Sequence, residues 1–199
     1  MNDTSGKTLN GAVRDSLQPL SDSLKSVDLT GHPPVERWNP SYEGEIDIVI
    51  KADGTWLHEG DPFRRDSLVK LFASVLWFEN GEHYLKTPAE KMRITVEEAA
   101  FFIPLLEVVG EGESQQLVFI SSYGDRVVAN EVHRIEVEED PMTGEPRPYL
   151  TMRYGMRGKL SRNVFYQLAE MATPHVNDDG QECLQVFSSG IGFVLGNVD

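Results

Sequence analysis

Cysteine is nearly absent. Of 199 residues only Cys183 carries a thiol, so no disulfide can close within the chain. A lone thiol fits a reducing compartment better than a disulfide-stapled secreted domain. Histidine is sparse as well: His32, His58, His83, His133 and His175 stand apart, and no pairing among them or with Cys183 has the spacing of a zinc site. No apolar run approaches membrane-spanning length, and the opening MNDTSGKTLNGA has no apolar core of signal-peptide type. These absences predict a soluble, cytoplasmic protein. Positive charge is also short, with 18 basic against 32 acidic residues and a net charge of −14. The acid excess runs through both halves, which argues against a nucleic-acid polymer or an anionic membrane as partner. A single cationic pocket survives such an average, so small anions stay open as ligands.

Catalytic and cofactor motifs are missing too. No G-x-S-x-G or H-E-x-x-H occurs, and the glycines of GIGFVLG (190–196) are wrongly spaced for a dinucleotide loop. The segment DPMTGE has too few carboxylates for a calcium loop. Ser188-Ser189-Gly190 reads most simply as a turn between strands. The expectation is a protein with no metal, no cofactor and no catalytic machinery.

What is present is α+β patterning. EIDIVI (45–50) alternates isoleucines against polar or smaller residues, Asp53-Gly54 supplies a turn, and TWLH returns as the second arm of a hairpin. Asp61-Pro62 reads as the cap and first turn of a helix whose apolar face is Leu68, Leu71, Phe72, Val75 and Leu76. Asn80-Gly81 turns into EHYLK, and KMRI and AFFIPLLEVV read as further strands. After residue 111 short strand-like runs follow: QQLVFIS, DRVVA, VHRIEVE and YLTMRY. Ser161 then caps a second helix reaching about Met171, with Val164, Phe165, Leu168 and Met171 towards the core, before ECLQVF and IGFVLG. Residues 1–30, rich in Ser, Asp, Asn and Gly, read as a flexible tail with at most a weak helix interrupted by Pro19.

Two features point to function. Arg65, Leu68 and Leu71 follow the order R-x-x-L-x-x-L, and Arg162, Phe165 and Leu168 repeat it with phenylalanine in the middle. Gly81 with Leu85 and Gly180 with Leu184 follow in turn, which predicts a duplicated unit with halves at about 31–110 and 111–199. The second feature is a local charge reversal: Arg147, Arg153, Arg157, Lys159 and Arg162 fall within sixteen residues that hold no carboxylate. An arginine at a helix start opposes the helix dipole, yet beside the free N–H groups there it completes an anion site. The alternative is internal ion pairing, with Asp47 the evident partner for Arg65. Trp38, Trp56 and Trp77 read first as packing residues, His133 as a structural histidine, and Tyr149 as a buried phenol in need of one hydrogen bond.

Several short motifs stand in order along the chain. They are Pro33-Pro34-Val35, Trp38-Asn39-Pro40, Gly44-x-Ile46-Asp47, Asp53-Gly54-Thr55-Trp56, Arg65, Leu71-Phe72, Thr87-Pro88-x-Glu90-Lys91, Pro148-Tyr149 and Ser161-Arg162. Together they resemble a bacterial, mainly proteobacterial, family of domains of unknown function, over about residues 31–196. The resemblance implies a duplicated α+β fold of two related units packed side by side, the second superficially like a pleckstrin-homology domain. It further implies a pocket between the halves for a small anionic, nucleotide-like ligand, and a role in signalling. Two positions depart from the family pattern. Arg157 stands where an acid is common, so it is not expected to be a family-wide contact, and Ala89 stands where valine is expected.

The reading that results is a non-catalytic binding or signalling protein. Arg162 and Arg65 would neutralise the ligand, Lys91 would reach in from the rim, Tyr149 or Trp38 would contact a ring, and Ser161 would cap the helix beside them. An adaptor that binds a protein segment along exposed edge strands is the second reading. A hydrolase built on His133 is a third, supported by no motif.

Overall fold

The computed structural model describes residues 9–24, 32–176 and 180–197, with side chains from residue 17 onward. The parts of the expected tail at 1–8 and 25–30, and the Asp178-Asp179 turn, lie outside the described residues. The chain forms two compact units that divide between Glu97 and Glu98. The first mixes strands with two α-helices and the second with one, so the α+β class holds.

The first unit opens with helix α1 (Leu9–Leu24), which runs through Pro19. Leu20 and Leu24 are both 1% exposed, so this part of the expected tail is ordered helix with a buried edge. A 3₁₀ turn, Val35–Arg37, leads to strands β1 (Tyr42–Ile50), β2 (Trp56–His58) and β3 (Asp61–Pro62), helix α2 (Asp66–Ser74), and strands β4 (Leu76–Glu79), β5 (Glu82–Lys86) and β6 (Glu90–Val96). They form one six-stranded sheet in the order β3-β2-β1-β6-β5-β4, with β1 and β6 parallel. Ile48, Ile50, Phe72, Val75, Leu76 and Leu85 form its core, each fully buried. The predicted helix start at Asp61-Pro62 is corrected. Those residues pair with Leu57 and His58 around a turn in which Glu59 and Gly60 both take positive φ, and α2 begins at Asp66. A hairpin that also bonds the Phe63 N–H to the Trp56 carbonyl holds the chain before it can wind into a helix.

The second unit contains β7 (Phe101–Ile103), β8 (Leu105–Val109), β9 (Gln116–Ile120), β10 (Arg126–Val128), β11 (Ile135–Glu139), β12 (Pro146–Thr151), β13 (Arg157–Leu160), helix α3 (Arg162–Met171), β14 (Thr173–Val176), β15 (Glu182–Ser188) and β16 (Ile191–Asn197). These form three small sheets, ordered β10-β9-β8, β11-β12-β13-β7 and β14-β15-β16. The run AFFIPLLEVV is therefore two strands rather than one. The chain changes sheet at Pro104, which has no N–H to continue a ladder. The boundary expected at 110/111 falls between β8 and β9, which pair directly with each other, so the division lies earlier in the chain. Phe101, Ile103, Leu117, Phe119, Leu160, Leu168 and Phe193 supply the core, each at most 2% exposed. Among the described residues no helix is long and apolar enough to cross a membrane.

Residues 153–160, noted from the sequence only for their positive charge and for the end of YLTMRY, hold a 3₁₀ turn at Arg153–Gly155 and then β13. The alternation is short but regular: Arg157 and Lys159 are half-buried on one face, Gly158 and Leu160 buried on the other. Gly158 sits in a tight spot: a Cβ there would lie 3.0 Å from Ile103 Cδ1 and 3.1 Å from Met152 Cγ, so any side chain would push those two neighbours aside by a few tenths of an ångström.

Candidate functional site

The register of three strands gathers charge on one face of the β11-β12-β13-β7 sheet. Tyr149 on β12 lies opposite Lys159 on β13, Thr151 opposite Arg157, and Arg147 opposite Glu138 on β11. Because side chains alternate, Arg147 and Tyr149 share the face that carries Arg157 and Lys159. Glu98, the first residue of this unit, lies just before β7 and brings its carboxylate to the group. Tyr149 Oη donates to Glu98 Oε1 at 2.7 Å, Arg147 Nη2 lies 3.1 Å from the same oxygen, and Lys159 Nζ donates to Oε2 at 2.7 Å. The Arg157 guanidinium stacks 3.7 Å above the Tyr149 ring and bonds Glu138 at 2.7 Å.

Burial and charge set the chemistry of this cluster. Tyr149 is 2% exposed, and the side chain of Glu98 10%, while those of Arg147 and Lys159 keep 35% and 31%. Burial, reinforced by the bond to Glu98, pushes the Tyr149 phenol up to about 12, so it remains a protonated donor. Burial also works to raise Glu98, but the bonds from Lys159, Tyr149 and Arg147 outweigh it and hold that carboxyl below its ordinary value. Three donors thus converge on the position of one carboxylate.

The sequence-predicted residues fall on both units. Ser161 accepts the Val164 N–H at 3.3 Å as the cap of α3. Beside it Arg162, its side chain 78% exposed, lies 3.2 Å from Glu145. Tyr149 is the one predicted site residue in the cluster, and no contact joins it to Ser161 or Arg162. In the first unit Lys91 is enclosed rather than a rim residue, 2.7 Å from Glu43 and 3.0 Å from Glu79, with the Tyr84 ring 4.8 Å away. Arg65 occupies the cap position of α2, exposed, and forms no ion pair with Asp47 or any other described residue. Trp38 is half-buried after the 3₁₀ turn, and no contact links it to Arg65 or Lys91. All five cations of the charge-reversed stretch have carboxylate partners: Arg147 and Lys159 share Glu98, Arg153 takes Asp125, Arg157 takes Glu138 and Arg162 takes Glu145.

Other candidates resolve into structure. His133 Nδ1 bonds the Thr151 carbonyl oxygen, and buried Ser188 donates to Ala129 O while accepting the Leu117 N–H. A cleft of about 520 Å³ lies in the first unit where the β1–β6 register slips between Glu45 and Val49. Asp47 lines it, and Arg93 is held there between Glu45 and Glu82, which leaves acid in excess and the wrong sign for an anion. Among the described residues no group of three or more His, Cys, Asp or Glu could hold a metal ion.

Comparison with known families agrees with this two-unit division. The model described as "Domain of unknown function (DUF1285), N-terminal domain" matches residues 33–99, and "Protein of unknown function (DUF1285), C-terminal domain" matches 100–195. The crystal structure of a DUF1285 family protein from Silicibacter pomeroyi DSS-3 is 38% identical, with a TM-score of 0.80 over 90% of this chain and 94% of that one. The chain belongs to the DUF1285 family. A second DUF1285 structure, from Shewanella baltica OS155, is 28% identical with a TM-score of 0.49, covering 62% of this chain and 90% of that one. No match was found among curated proteins. Within this DUF1285 chain, sequence reasoning missed Glu98, and noted Arg147 and Lys159 only as members of a charge run. The alternation Arg157-Gly158-Lys159-Leu160 was the local signal for the two β13 cations. Glu98 lies 51 residues from Tyr149 and 61 from Lys159, so no local pattern announces it.

Proposed function

We propose that this DUF1285 protein is a non-catalytic binding protein for a small anionic ligand, with its site on the Arg147–Tyr149–Lys159 face of the second unit. The observation that carries the reading is the convergence of two one-third-exposed cations and a buried phenol on a single oxyanion position. Arg157 adds a flat cationic surface, stacked on Tyr149, on which the planar ring of a nucleotide-like ligand would lie. Reversible capture of such a ligand suits a signalling role. Thermal unfolding with inorganic phosphate, mononucleotides and dicarboxylates tests it. A ligand at 100 times its Kd adds about 2.7 kcal/mol of stability. The shift is expected to vanish in Lys159→Met and Arg147→Met. Arg162→Ala tests the alternative placement at the start of α3, and loss of the shift only in that variant would move the site there. No shift with any ligand overturns the reading.

A second reading is an adaptor, favoured by β8. This edge strand exposes Leu105 (57%), Val108 (46%) and Val109 (49%). With Glu111 and Glu113 following, it fits an extended apolar peptide with basic flanks, added as a fourth strand. Binding of such a peptide, abolished by Val108→Pro, is the expected result.

A further inference from the structure

In the cluster described above, the anion position is already filled. We infer that Glu98 is an internal competitor at this site, and that the external ligand carries a carboxylate or phosphate group that binds by displacing the Glu98 carboxylate. This rests on the anion-binding reading and adds to it how the site is gated and what group the ligand must present.

The donors are the fixed part. Arg147 and Tyr149 stand on β12 and Lys159 on β13, strands paired to each other and to β11 and β7. Tyr149 is almost wholly buried under Arg157, so the position of its phenol oxygen is set by packing. Glu98 is the adjustable part. It lies outside any strand, between the end of β6 at Val96 and the start of β7 at Phe101, so no ladder bonds lock its backbone. A rotation of its side chain takes the carboxylate away while the donors stay in place.

Leaving without replacement is costly, because Arg147 and Lys159 would lose their shared carboxylate and the buried phenol its acceptor. Exchange for another oxyanion restores every bond. Only a group with two acceptor oxygens in a carboxylate-like or phosphate-like arrangement does so, because Oε1 takes Tyr149 and Arg147 while Oε2 takes Lys159. A neutral or single-acceptor ligand leaves a donor stranded. Glu98 also lowers the apparent affinity of any such ligand, since the binding-competent state is the fraction in which its carboxylate is out.

The test compares the binding of inorganic phosphate and of acetate to the wild-type chain and to Glu98→Gln and Glu98→Ala by isothermal titration. Both variants are expected to bind one of these anions about tenfold or more tightly than wild type, which corresponds to a site filled by Glu98 roughly nine-tenths of the time. Adding Lys159→Met to either variant is expected to abolish the gain. Phosphate alone gaining affinity assigns the ligand to the phosphorylated class, and acetate alone to the carboxylates. Wild-type binding that Glu98 substitution leaves unchanged overturns the competitor role while leaving the anion site standing. No binding of either anion to any of the three proteins removes both. Should the variants fail to fold, carbon-13 NMR of the wild-type glutamate carboxyls decides: saturating anion is expected to return the Glu98 titration towards ordinary carboxylate behaviour, and an unmoved titration rejects displacement.

Discussion

Tyr149 gives the sharpest residue-scale expectation. Its phenol ionises near 10 in an unfolded chain and at about 12 in the folded one, chiefly through burial. A group raised on folding stabilises fully below its unfolded value and loses that contribution as pH climbs to the folded one. The wild-type protein should therefore lose stability between about pH 10 and 12 with an extra slope of about 1.4 kcal/mol per pH unit relative to Tyr149→Phe. Urea midpoints of the two proteins across that range measure it, and parallel curves would show that Tyr149 is not shielded. Arg153 supports a different expectation. Its side chain is 16% exposed, bonded to Asp125 at 7%, with its guanidinium 4.6 Å over the Phe101 ring. Arg153→Met leaves a buried carboxylate without its cation and is expected to cost about 3–5 kcal/mol in urea unfolding. The sequence singled out the charge of this stretch but not its division of labour. Arg153 and Arg157 differ by four positions and are alike in composition; only the turn between them sends one inward and leaves the other on the sheet face.

At the scale of elements, helices α2 and α3 are compared most directly through their caps. Ser161 caps α3 with its hydroxyl, so Ser161→Ala should lower stability by about 1 kcal/mol. In α2 the cap position holds Arg65, with extended φ and ψ of −121° and 108° and no side-chain cap bond. Arg65→Ser should raise stability by roughly the same amount, because a capping oxygen replaces a cation at the positive end of the dipole. Thermal melts of the two variants should move in opposite directions. The repeat R-x-x-L-x-x-L concealed this difference: its first arginine is the α2 cap itself, while its second follows the α3 cap by one residue. Local signals were legible wherever one chemical device decided the structure, as with Ser161 for α3 or Asp53-Gly54 for the β1–β2 hairpin, where Asp53 accepts the Thr55 N–H at 2.8 Å. They failed where pairing is remote. β13 is a strand because β12 and β7 flank it, and Asp61-Pro62 is a strand because β2 claims it. Neither partner can be read from the residues themselves.

At the scale of the whole chain, the net charge of −14 and the ion pairs pull stability in opposite directions with pH. Self-repulsion eases as carboxylates take up protons towards the isoelectric point near 4.7, which favours the folded state on moving down from neutrality. The paired carboxylates act the other way. Bonds from Lys91 hold Glu79 below the ordinary 4.5; Lys51 does the same for Glu97, and Arg126 for Glu107. Backbone N–H groups of Met142 and Thr143 hold Asp140 below 3.8. A carboxyl lowered on folding contributes its stability above the unfolded value and loses it as pH falls through the folded one. Glu90, raised by burial alone, opposes this trend as a single group. The urea midpoint should therefore rise gently from neutral pH to a maximum at about pH 5–6, then drop steeply below about pH 4. Salt separates the two causes, because long-range repulsion is screened at high ionic strength while hydrogen-bonded pairs at contact are screened less. In high salt the gentle rise should disappear and the acid drop persist. Below the isoelectric point the growing positive charge adds to the loss of the ion pairs, so a midpoint that stayed level below pH 4 would mean that these pairs, Glu98 and its three donors included, contribute little to stability.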